Sequence, residues 1–109
     1  MAKYLLIETK SPLEGGQYAF DLGTQLGDLR HDVTIYLLQD AVFAARKNLS
    51  AGADLLQKAK VAGLTVLADS VSLRQRGVVG DRLAERVRAS DMDELVDLLM
   101  ERSDKAIWH

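Results

Sequence analysis

The chain contains no cysteine, which excludes a disulfide framework, a thiolate metal site and a thiol nucleophile at any of its 109 positions. It also lacks an excess of either charge: 14 Lys and Arg stand against 16 Asp and Glu, and a net charge of -2 gives no bulk attraction to nucleic acid. No long hydrophobic run is present. The opening MAKYLLIET breaks its apolar stretch at Glu8, too early for a signal peptide or a membrane span. A cytoplasmic protein is the resulting expectation. Metal-ligand spacing is missing too, since His31 lies in a polar loop and His109 is the last residue, neither with a partner at useful distance along the chain. No serine, histidine and acid group into a triad from sequence alone.

What is present suits one globular domain spanning residues 1–109. Hydrophobic residues make up 48% and charged residues 28%, which argues against disorder, and a chain of this length buries roughly two thirds of the surface it would expose unfolded. Tyr4–Ile7 and Val33–Leu38 are continuous apolar runs that read as buried strands. Between them Tyr18, Ala19, Leu22, Leu26 and Leu29 recur three or four apart and define one helical face, giving a right-handed βαβ unit. Asp40–Ala45 reads as a short helical turn, 47–52 as a loop, Ala53–Ala62 as a helix closed by Gly63, and Leu64–Ala68 as a third strand. Ser70–Gln75 reads as a short helix stopped at Arg76–Gly77, and Asp81–Val87 as another. Arg88–Ala89 supply a brief fourth strand. Ser90 caps a helix with Met92, Leu95, Val96, Leu99 and Met100 facing inward, and Ala106–Trp108 form a fifth strand. The fold class is α/β: a three-layer α/β/α sandwich with a mainly parallel five-stranded sheet on a flavodoxin-like plan. Strand orders 2-1-3-4-5 and 4-3-2-1-5 both satisfy the pattern.

Chemistry in such folds concentrates where strands end. The first such loop, Glu8–Gly16, has neither the Gly-Lys-Ser/Thr ending of a phosphate loop nor the three spaced glycines of a dinucleotide turn, so Gly15 and Gly16 are read as turn formers. Asp40 and Asp69 each follow an apolar strand, and the fold brings them to one sheet edge with Glu8 or Glu14 nearby. Such carboxylates suit magnesium, as in a metal-dependent hydrolase or a phosphoacceptor. The alternative, favoured on the residues, is that each aspartate caps the turn or helix after it. Arg74, Arg76, Arg82, Arg86 and Arg88 concentrate positive charge, but Asp81 and Glu85 are interleaved at helix-neighbour spacing, as on a solvated face.

In order and spacing, several segments resemble the DsrE/DsrF-like family. They are Ser11–Pro12, the helix from Gln17 to Leu29, RHDVTIYL (30–37), QDAV (39–42), LTVLAD (64–69), LRQRGV (73–78) and the ending KAIWH (105–109). The resemblance covers nearly the whole chain and implies a three-layer fold, a cytoplasmic location and assembly into trimers or hexamers. It also implies a persulfide-bearing cysteine eight residues before the glycine of the Arg-Gly pair, a count that lands on Asp69. A carboxylate cannot carry sulfane sulfur, because that chemistry needs a thiolate. The expectation is therefore a non-catalytic accessory or small-ligand- or partner-binding protein of intracellular sulfur metabolism. Its candidate ligand residues are Asp69, Ser70, Ser72, Arg76 and Asp40, with no cofactor, no metal, no nucleic acid and no membrane. The competing readings are an enzyme using an Asp40/Asp69 carboxylate site and a nucleotide or flavin binder. Self-association is expected on a second ground, that Val42, Phe43, Ala44 and Ala45 would be left exposed in a monomer.

Overall fold

Strands that are apolar on both faces need helices on both faces, and the chain supplies them in alternation. The computed structural model describes residues 1–109. β1 (Lys3–Glu8) leads through α1 (Tyr18–Asp28) to β2 (Asp32–Leu37). α2 (Ser50–Val61) precedes β3 (Thr65–Asp69), α3 (Ser70–Gln75) precedes β4 (Arg88–Ser90), and α4 (Met92–Asp97) precedes β5 (Lys105–Trp108). All neighbouring strands are parallel, in the order β4-β3-β2-β1-β5, which selects 4-3-2-1-5 from the two arrangements. The register sets Ile7 opposite Tyr36 and Trp108, and Tyr36 opposite Leu67.

Alternation along the strands divides the core in two. Leu6, Ile35, Leu37, Val66 and Ala68 pack under Phe20 of α1, Leu55 and Leu56 of α2 and Leu73 of α3. Leu5, Ile7, Tyr36 and Leu67 face the other way, onto Leu95 and the adjoining Leu98. Three helices thus cover one face and a single short one covers the other. Crossovers β1 to β4 step in one direction across the sheet and the last returns to its opposite side, so the right-handed rule places α4 on the opposite face. The reversal falls between β1 and β5. No helix is long and apolar enough to cross a membrane.

Four expectations are corrected. α2 begins at Ser50, inside the stretch read as a loop, because its first turn docks on the 3₁₀ segment Gln39–Ala45. A Cβ at Gly52 would collide with the Ala44 carbonyl. Asp81–Val87 is not a helix: only Gly80–Arg82 form a 3₁₀ turn, and the chain then pairs with residues 45–47 through Lys47 N–H to Arg82 O (2.7 Å) and Ala84 N–H to Ala45 O (2.8 Å). Backbone pairing at long range overrides local propensity, and Arg82, Glu85 and Arg86 are not helix neighbours. Asp91, not Ser90, caps α4, its carboxylate accepting the Glu94 N–H at 2.9 Å, while Ser90 ends β4. Finally, Met92, Val96, Leu99 and Met100 face outward. The sheet receives only Leu95 and Leu98, and after Asp97 the helix widens into a π turn over Leu98–Arg102, which shifts the helical phase of Leu99 and Met100.

The segment expected to lie bare is also buried: Ala41, Val42, Ala44 and Ala45 are inside the main core under α2. Exposed apolar surface lies elsewhere, on the outer side of α4 and at Trp108, which is 64% exposed.

Candidate functional site

All five strands point their carboxyl ends the same way, so the side chains just beyond them share one edge of the sheet. At the β3–α3 junction Asp69 is the last strand residue and the cap of α3. It is buried, and its Oδ2 accepts the Ser72 N–H (2.9 Å) and the Ser72 hydroxyl (2.8 Å). That hydroxyl in turn accepts the N–H of Gln39, which holds a left-handed φ of 53° after β2. The helix ends at Arg76, and Gly77 takes φ 69°, a conformation glycine adopts without Cβ strain. Arg76 lies back over the junction, with Nε donating to Asp40 Oδ1 (2.9 Å) and an η nitrogen to the Ser72 carbonyl (3.3 Å).

Asp69, Ser72, Arg76 and Asp40 therefore meet as one hydrogen-bonded group. Ser70 does not join it, and instead lines an open cleft of about 700 Å³ with the β4–α4 residues Arg88, Ser90, Asp91, Glu94 and Arg102. The two aspartates act differently from each other. Asp69 caps as the residue type suggests, whereas Asp40 lies inside its 3₁₀ turn, caps nothing and pairs with Arg76. Asp40, Asp69 and Glu8 each have their own partners, and no three metal-ligating side chains converge. β2 lies between β1 and β3, which separates Glu8 from Asp69 by two strand spacings, about 10 Å.

In the β4–α4 cleft, Arg88 grips Glu94 through two parallel hydrogen bonds of 3.0 and 2.8 Å, the Ser90 hydroxyl donates to the same carboxylate, and Arg102 stands 3.9 Å away. The Arg88 hydrogen bonds first, and Ser90 second, hold the Glu94 carboxyl down at about 2 from 4.5. Because the folded value is depressed, the stabilisation is complete above the unfolded value of 4.5 and is lost as pH falls through about 2. Arg88→Met is expected to return the Glu94 titration, followed by its side-chain carboxyl carbon in NMR, toward 4.5. Its stability deficit should be about 1 kcal/mol at neutral pH, since Arg88 is largely exposed, and should vanish between pH 4.5 and 2. Nearby, burial raises the Tyr36 phenol above 10.0, and its O–H donates to the Asp91 carbonyl at 2.9 Å.

One constellation escapes sequence reading. Glu8, at the end of β1, is fully buried as an acid. Its Oε2 accepts the N–H groups of Thr9 and Lys10 (both 3.1 Å), and its Oε1 accepts the Ala19 N–H of α1 (3.2 Å). The side chain of Gln17, which precedes α1, makes no cap, so Glu8 supplies the helix with its acceptor and its favourable negative charge. His109, just beyond β5, places Nδ1 2.9 Å from both Glu8 oxygens, with its ring against Tyr18 at a centroid distance of 4.4 Å. His31 serves the opposite end of the sheet, its Nδ1 accepting the Ala2 N–H. A charged residue closing the run YLLIE is a readable signal that a buried acid needs a partner, but that partner lies 101 positions away.

A parallel α/β sheet of this order, with polar groups gathered on its carboxyl edge, defines a class of small sandwich proteins rather than an activity. The chain belongs to the DsrE/DsrF-like family, whose model matches residues 2–108. Its fold is similar to that of the crystal structure of the YchN protein from E. coli (TM-score 0.82, 19% identity) and to that of MTH1491 from Methanobacterium thermoautotrophicum, a protein of unknown function (TM-score 0.71, 17% identity). Each likeness covers 100% of both chains. No curated protein matches the chain in sequence.

Proposed function

We propose that this protein is an accessory binding protein of intracellular sulfur metabolism that works without cysteine-based sulfur transfer and engages a small anionic ligand at the β3–α3 junction. The observation that carries this reading is Asp69. At the position where the family resemblance calls for a persulfide-bearing thiol, the chain has a buried carboxylate committed to Ser72, and no cysteine anywhere else. What the junction retains is Arg76, whose planar fork already contacts one carboxylate oxygen and one carbonyl. An anion that displaces the exposed Asp40 from Arg76 would exchange one charge-assisted pair for another. Self-association belongs to the same proposal, on the outward apolar residues of α4 and Trp108 rather than on residues 42–45.

Two measurements test the reading. After exposure to a persulfide donor, the intact mass is expected to stay unchanged, and a gain of one sulfur atom would overturn the cysteine-free role. Thiosulfate or sulfite, near a hundred times its dissociation constant, is expected to raise the melting temperature by roughly 10 °C. Arg76→Ala should abolish that rise. An equal rise in the variant, or none in the wild type, would remove the junction as the ligand site.

A further inference from the structure

Parallel sheets place ligands outside the strand ends where the chain's course across the sheet reverses. Here that point lies between β1 and β5, and Glu8, Thr9, Tyr18 and His109 occupy it. The β3–α3 group is two strands away.

His109 is held from every side but one. Its N–H donates to the Ile7 carbonyl at 2.8 Å, and its backbone oxygen accepts both the N–H (3.0 Å) and the hydroxyl (2.8 Å) of Thr9. Its ring rests on Tyr18, and Nδ1 meets a carboxylate that is itself fixed by three backbone N–H groups. A carboxylate only accepts, so in the neutral ring Nδ1 carries the proton and Nε2 carries the lone pair. Nε2 makes no hydrogen bond within the chain. No buried side-chain polar atom lacks a partner, so Nε2 reaches solvent on a ring that is 31% exposed. An imidazole fixed by a buried acid, with its free nitrogen outward, is the arrangement of an oriented proton acceptor.

We infer that Glu8 and His109 form a site that binds a small-molecule thiol and holds it as the thiolate. The choice of thiol follows from acidity, and it rests on the cysteine-free reading above, in which sulfur comes from outside the chain. A thiol, ordinarily near pKa 8.5, is matched to an imidazole base. An aliphatic hydroxyl is far too weak an acid, and a carboxylic acid is already ionised at neutral pH and would approach Glu8 as a like charge. In the step, the S–H bond breaks, its proton goes to Nε2 and the electron pair stays on sulfur. The thiolate then faces an imidazolium whose other N–H is bound to Glu8. No electron changes hands, and release of the thiol reverses the transfer. His109 is the residue that touches the ligand, and Glu8 positions it.

Long-range proton–nitrogen NMR of the full chain tests this directly, because His31 and His109 are the only histidines and His31 serves as the internal control. His109 is expected to show the Nδ1–H tautomer. Titration with 2-mercaptoethanol should move its ring nitrogens saturably toward the doubly protonated pattern and leave His31 still, while the S-methyl ether of the same molecule moves neither. Glu8→Gln should weaken the response at least tenfold. An Nε2–H tautomer, an unsaturable response, or an equal response to the thioether would overturn the site. Should Glu8→Gln not fold, Tyr18, whose ring lies against that of His109, reports the same event by a saturable shift of its ring-proton NMR signals that His109→Phe abolishes; retention in that variant refutes the proposal. Its failure would leave the oxyanion response of Arg76 standing. A persulfide appearing on the chain would strike the cysteine-free reading and leave the histidine titration untouched.

Discussion

Glu8→Leu is expected to destabilise the protein by about 4 kcal/mol, which for a domain of this size lowers the melting temperature by about 15 °C. Leucine fills a similar volume, so lost packing is not the cause. The substitution leaves the N–H groups of Thr9, Lys10 and Ala19 without their acceptor; a buried donor left unpaired costs about 1–3 kcal/mol, a loss that falls in full on the buried Ala19 N–H and in part on the half-buried bonds of Thr9 and Lys10. It also removes the negative charge at the start of α1 and the group that fixes the His109 ring. Glu8→Gln separates these effects. The amide retains one acceptor oxygen but turns its NH₂ toward a donor, so about half the loss is expected, with His109 less well held. Chemical denaturation of the two variants checks the ordering; equal stability of Glu8→Leu and wild type would mean that water replaces the carboxylate at all three N–H groups.

Glu8 also marks the limit of what the sequence reveals. The parallel α/β class was readable, because YLLI and VTIYLL are apolar in both strand phases and the intervening helix shows a single face. That Asp69, Ser72 and Arg76 lie together was readable because the β3–α3 junction is local and they fall within eight positions, whereas Ser70, equally near in sequence, turns to the β4–α4 cleft. Asp40 joins them at the end of the neighbouring strand. Three things were hidden, each for a different physical reason. The Glu8–His109 contact needs β5 to add beside β1, and two strand orders were compatible with the pattern. The 81–87 segment has helix-forming residues and yields to backbone pairing with residues 45–47, which no local window contains. The inward face of α4 was misassigned because six apolar residues in nine satisfy more than one helical phase, and only the sheet beneath decides that Leu95 and Leu98 are buried.

Asp69→Ala is expected to cost about 3 kcal/mol, more than an ordinary cap deletion of about 1 kcal/mol. The excess arises because the carboxylate is the first link of a chain. Asp69 fixes the Ser72 hydroxyl, and that hydroxyl satisfies the Gln39 N–H at a residue held in the left-handed region, where a side chain with a Cβ is strained by about 1 kcal/mol. Removing the carboxylate frees the hydroxyl to rotate and loosens the turn that carries Asp40 to Arg76. Ser72→Ala should cost about 2 kcal/mol through the same Gln39 donor, and the double variant less than the sum, with a coupling of about 1–2 kcal/mol in a denaturation cycle. Additive losses would mean that Asp69 caps α3 and nothing more, and that the β2 and β3 ends are held independently. Coupled losses would mean that the position given to a thiol by family resemblance is here a structural joint, through which any ligand drawing Asp40 off Arg76 also strains the turn after β2.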